Sequence, residues 1–131
     1  MMRASDTPIL TLSPIVFMVW AGVIFSSAAL AVEPGVRSEI SALLEQVAIS
    51  GCAFERNGKQ HSSADAADHL ALKFKRGERY VTTTEDFIDR LASESSWSGK
   101  PYLVVCNNQE ATSRNWLHNR LIEIRAHRPQ P

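Results

Sequence analysis

The sequence predicts a small single domain of the α+β class: about four helices with a short two- or three-stranded sheet, and one disulfide. Three observations lead there. Four segments repeat apolar residues at three- to four-residue intervals, the spacing of one buried helical face. Between the first two lies Asn57-Gly58, the dipeptide of a tight hairpin turn, after a stretch of alternating polarity. Ahead of the last, Tyr102-Leu103-Val104-Val105-Cys106 is a continuous apolar and β-branched run that suits a central strand. The order is helix, strand, strand, helix, helix, strand, helix. The sequence shows no internal repeat, low-complexity tract or linker.

Each element has a local cause. Pro34 suits a first helical turn, Val36, Ile40, Leu43, Leu44 and Val47 share a face, and Gly51 is placed to end the helix in a left-handed cap. Cys52 to Arg56 forms the first strand, and the polar Lys59-Gln60-His61 returns from the turn with one wet face. Ser62 or Ser63 caps a second helix. Its stripe is Ala66, Ala67, Leu70, Ala71 and Phe74; Lys73, Lys75 and Arg76 suit its carboxyl-terminal dipole, and Gly77 stops it. Tyr80-Val81 is a brief extended link. Thr83 or Thr84 caps a third helix, with Glu85 and Asp86 in its first turn and Phe87, Ile88, Leu91 and Ala92 buried. Ser93 to Pro101 reads as helix end and loop. After the central strand Asn107-Asn108 turns the chain, and Thr112 or Ser113 caps a last helix carrying Trp116, Leu117, Leu121 and Ile124.

Residues 1–31 read as an export signal: Arg3, an uncharged apolar run from Ile15 to Phe25, small residues, and Ala29-Leu30-Ala31 as a cleavage site. The run is about half the roughly 20 residues a spanning helix needs, with a retained anchor as the alternative. There is no twin arginine and no cysteine directly after the run for lipidation. The expected location is the periplasm. Cleavage leaves residues 32–131 as one domain, with no membrane span. The whole chain carries 14 basic and 14 acidic residues, a balance without the electrostatic footprint of a nucleic-acid binder. In an oxidising compartment the isolated pair Cys52 and Cys106 is most simply a disulfide. Neither cysteine has a histidine at ligand spacing, so no zinc site is expected. No cofactor motif is present.

Four blocks of the mature region form a recognisable set. They are Phe54-x-Arg56-Asn57-Gly58, Ala66-x-x-His69-Leu70-x-x-Lys73, Thr84-Glu85-Asp86-Phe87-Ile88, and Ser95-Ser96-x-Ser98-Gly99-Lys100-Pro101-Tyr102. In this order they resemble the YfeK-like family, small exported bacterial proteins with a domain of unknown function. The resemblance covers most of residues 36–121. It implies a periplasmic location, and it supplies no activity and no catalytic residues.

The polar residues of these blocks are the candidates for chemistry. Ser96-x-Ser98-Gly99-Lys100 combines hydroxyls, a flexible glycine and a cation, and such a loop can present amides to a carboxylate or phosphate. It is not a phosphate-binding P-loop, because Pro101 replaces the required hydroxyl. His69 lies four residues before Lys73, on the same helical side. Arg56 ends the first strand. The candidate ligand-binding face is therefore Arg56, His69, Lys73, Ser96, Ser98, Lys100 and Tyr102, with Trp97 as a partner contact in the loop. Its expected ligand is a small anion, a cell-wall fragment or an envelope protein, bound without catalysis. Two alternatives stand beside it: an inhibitor or assembly factor acting through Trp97, and a small hydrolase using His69 and Asp86 with Ser96 or Ser98. No Gly-x-Ser-x-Gly elbow supports the last.

Overall fold

The computed structural model describes residues 31–129. The export signal, residues 1–31 as read above, lies outside the described residues except for Ala31. Helix α1 (Pro34–Ile49) leads into strand β1 (Ala53–Arg56), strand β2 (Lys59–His61) and helix α2 (Ser63–Gly77). A single 3-10 turn (Glu78–Tyr80) leads to helix α3 (Thr84–Asp86), which widens at once into a π-helical turn (Phe87–Leu91). Strands β3 (Leu103–Cys106) and β4 (Gln109–Thr112) and helix α4 (Ser113–Ala126) complete the domain. It is an α+β fold with Cys52 and Cys106 joined in a disulfide.

The caps match their chemistry. Ser62, Thr83 and Thr112 each accept a hydrogen bond from a backbone amide of the helix that follows, and Thr83 with Asp86 makes a reciprocal capping box. Gly51 has φ +66°, the left-handed conformation that lets the chain leave α1 and enter the sheet. Two features depart from the sequence reading. Gln109–Thr112, expected as turn and cap, forms a fourth strand beside β3. The third helix is not a plain α-helix, because its buried half is a π-turn.

The four strands lie in the order β2-β1-β3-β4, all antiparallel. In the central pair Phe54 stands opposite Val104. Both are buried, facing α1, α2 and α4, whereas Ala53, Glu55, Leu103 and Val105 on the opposite face are half-buried. The core comprises Ile40, Leu43 and Val47 of α1, Leu70 and Phe74 of α2, Phe87 and Ile88 of the π-turn, and Trp116, Leu117 and Leu121 of α4. Phe54 meets Trp116 edge-on at 5.9 Å, and Phe74 meets Phe87 edge-on at 5.6 Å.

A structural repeat underlies this plan. Adding 50 to a residue number carries the start of α1 to that of α3, β1 to β3, the Asn57-Gly58 turn to Asn107-Asn108, and α2 to α4. Asn57, Gly58, Asn107 and Asn108 all have positive φ, so the two turns share one left-handed backbone. Phe54 pairs with Val104, its own counterpart, so a local two-fold axis passes beside that pair. The sequence hides the repeat because little but backbone geometry is shared.

The carboxylate of Glu39 is nearly buried and receives Arg125 and Arg128, while Arg125 also pairs with Glu85. Burial raises the Glu39 pKa, but Arg128 and Arg125 outweigh it, and the carboxyl ends below its ordinary value. This network ties α1 to α3 and α4.

Candidate functional site

The inner row of the central ladder can be read from its register. Continuing the pairing of Phe54 with Val104 by two residues each way places Arg56 opposite Tyr102 and Cys52 opposite Cys106. The cysteine Cα atoms are 4.7 Å apart, the spacing of a directly opposed antiparallel pair. One end of the row is thus closed covalently. The other end is polar, and α2 lays His69 and, one turn on, Lys73 against it.

There the side chains interlock. Arg56 Nη1 lies 2.7 Å from His69 Nδ1 and 2.9 Å from Nε2. His69 Nε2 is 3.3 Å from the Tyr102 hydroxyl. Lys73 Nζ donates to that hydroxyl at 3.1 Å and to the Glu94 carbonyl at 2.8 Å, and it sits 4.9 Å from the centre of the Tyr102 ring. A guanidinium can only donate, so a ring nitrogen of His69 accepts from Arg56. The tyrosine oxygen accepts from Lys73.

Electrostatics follow from this packing. Burial, and then the charges of Arg56 and Lys73, push the His69 pKa down to about 4. Burial lowers Lys73, with Glu94 opposing and Arg56 assisting. Burial raises Tyr102. Among the described residues no carboxylate forms an ion pair with Arg56, Lys73 or Arg76, whereas Arg37, Arg90, Arg114, Arg120, Arg125 and Arg128 all have one. Arg56, Lys73 and Arg76 line one cavity together.

Two cavities meet at this cluster, sharing Arg56, His69 and Tyr102 as their common wall. The smaller, about 200 Å³, lies under the β1–β2 hairpin against Phe54, His61, Ala66 and Leu70. The larger, about 580 Å³, opens past Lys73 and Arg76 to Tyr80, Ser96 and Trp97.

The structure sorts the residues singled out in the sequence. It brings Arg56, His69, Lys73 and Tyr102 together, and it sets Ser96 and Trp97 on the rim of the larger cavity. Ser98 is held aside, donating to Asn57 Oδ1. Lys100 is exposed and lines neither cavity. The loop amides are largely engaged within the loop. Those of Trp97 and Ser98 go to Ser95 Oγ, that of Gly99 to the Ser95 carbonyl, and that of Lys100 to Ser98 Oγ. Donors for a ligand therefore come from side chains of β1 and α2 rather than from a loop nest. Asp86 accepts from the Thr82 and Thr83 amides and pairs with Arg90, so it does not orient His69. Sequence reasoning missed Arg76, Tyr80 and Asn57. Arg76 was legible, since it falls three residues after Lys73 on the same face, but its place in a last helical turn offered a simpler reading.

The His69 shift carries a pH consequence. A ring with pKa near 6.5 in the unfolded chain and about 4 in the fold binds fewer protons when folded anywhere between those values. Its contribution to stability is therefore complete above about pH 6.5 and is lost as pH falls toward 4. Urea unfolding across that window should show stability dropping with acid, and His69→Gln should flatten the slope. An unchanged slope in the variant would place the titration elsewhere.

The sequence profile of a family of unknown function (DUF5329) matches residues 34–125. An uncharacterised protein of Salmonella typhimurium, YfeK, is 47% identical over 49 residues, which cover 37% of this chain and 41% of that protein. The aligned part thus spans less than half of that relative's length. No solved structure matches.

Proposed function

This chain belongs to the DUF5329 family of unknown function, and we propose that it is an exported binding domain whose ligand is an anion held by Arg56, Lys73 and Tyr102. One observation carries the reading: Arg56 and Lys73 line the head of the cavity beside the Tyr102 hydroxyl, and among the described residues neither cation makes an ion pair, Glu94 acting on Lys73 only from beyond ion-pair distance. Two unpaired cations facing each other across a tyrosine oppose folding unless something of opposite charge visits. Binding domains tolerate such a cost and recover it when the ligand arrives. Export fits the amino-terminal pattern and a disulfide that an oxidising compartment would keep closed.

Melting curves of the oxidised protein against a panel of organic and inorganic anions test the reading, with Lys73→Ala and Arg56→Ala alongside. A ligand at a hundred times its dissociation constant stabilises a fold by about 2.7 kcal/mol, several degrees for a domain of this size. Both variants should melt as folded proteins and lose that rise. A panel without any shift, or a shift both variants keep, would remove the anion site. Ligand should also raise the His69 pKa from about 4, because a bound negative charge offsets Arg56 and Lys73. Cell fractionation of the tagged protein tests export.

A further inference from the structure

The larger cavity holds more than an anion occupies. Its cationic head is one end; its rim carries Trp97, 92% exposed, and Tyr80, 52% exposed. The backbone that carries Trp97 is fixed. The Trp97 amide donates to the buried Ser95 hydroxyl, Asn57 braces the same hydroxyl from the β1–β2 turn, and the loop closes through Ser95 N to the Lys100 carbonyl. An indole left in water offers its whole face to a ligand. Between head and rim the lining is polar, with Asn57, Ser95 and Ser96.

We propose, building on the anion site above, that this cavity binds an acidic oligosaccharide, with its carboxylate on Arg56 and Lys73 and the apolar face of a sugar ring on Trp97. The C–H face of a pyranose is flat, apolar and slightly positive, the complement of an indole face. A carboxylate suits the forked guanidinium of Arg56, and the Lys73 ammonium lines the same cavity. About 580 Å³ is within the range of clefts that hold ligands of more than one ring. A protein partner fits less well, because the chain neighbours of Trp97 are the exposed Ser96, Ser98, Gly99 and Lys100, and the other exposed aromatic on the rim, Tyr80, carries a hydroxyl.

Calorimetric titration of the full oxidised chain with three probes separates the parts. N-acetylglucosaminyl-N-acetylmuramic acid carries both sugar and carboxylate, diacetylchitobiose carries the sugar alone, and D-lactate the carboxylate alone. The acidic disaccharide should bind at least about tenfold more tightly than either of the others. Trp97→Ala, at a position too exposed to disturb the core, should bring the disaccharide down to the affinity of lactate and leave lactate unchanged. Lys73→Ala should weaken both. A disaccharide that binds no better than lactate, or equally well to Trp97→Ala, overturns the proposal. The anion site survives that result if Lys73→Ala still weakens lactate, and it falls with the proposal if no anion binds at all.

Discussion

Reducing the Cys52–Cys106 disulfide should lower the stability of the domain by about 4 kcal/mol, close to the whole margin of some small domains. The bridge closes a loop of sequence separation 54, which contains β1, β2, α2 and the π-turn, so it restricts a long stretch of the unfolded chain. Urea unfolding with and without reductant measures the loss, and Cys52→Ala with Cys106→Ala should reproduce it. A loss under about 1 kcal/mol would mean that the reduced chain is already restricted by other contacts.

The same experiment separates stability from the site. Under the 50-residue repeat Cys52 corresponds to Tyr102 and Cys106 to Arg56. The covalent tie and the polar cluster are thus equivalent places at the two ends of one inner row, with Phe54 and Val104 between them. Those two buried side chains hold the register near the site whether or not the far end is bridged. The reduced protein, where still folded, should therefore keep its anion affinity within about twofold. A collapse of affinity in the folded, reduced state would show that the register is held covalently rather than by packing.

What the sequence revealed and what it concealed follow one division. Local chemistry was legible: Ser62, Thr83 and Thr112 cap as their hydroxyls demand, and Asn57-Gly58 turns as its backbone freedom demands. His69 and Lys73 were placed on one side by helical spacing alone. The fourth strand was not legible, because Gln109-Glu110-Ala111-Thr112 is a polar edge strand whose only support is pairing with β3. The π-turn was hidden for a related reason. Phe87, Ile88 and Leu91 fit an ordinary helix, and only the packing around them widens it. Arg56 and Tyr102 lie 46 positions apart in number, and only the register of β1 against β3 sets them face to face. Lys100, by contrast, belonged to a sequence block without belonging to a cavity.

The π-turn is also where a single core substitution should cost most. Phe87 is fully buried and stacks edge-on against Phe74, so it joins the Thr84–Leu91 segment to α2. Phe87→Ala removes most of an aromatic side chain from a site with no room to collapse, at about 3–5 kcal/mol, and Phe87→Leu should cost clearly less. Denaturant unfolding of both variants gives the two values. The effect should reach the ligand site as well. Phe74 lies one residue after Lys73 on α2, and the Lys73 ammonium reaches across to the Glu94 carbonyl just beyond the π-turn. Loosening the turn frees that carbonyl, and the ammonium then loses one of its two fixed partners. Phe87→Leu, folded but slackened, should therefore bind anions more weakly than the parent although it lies outside both cavities. Unchanged anion affinity in Phe87→Leu would mean that Lys73 is positioned by Tyr102 alone.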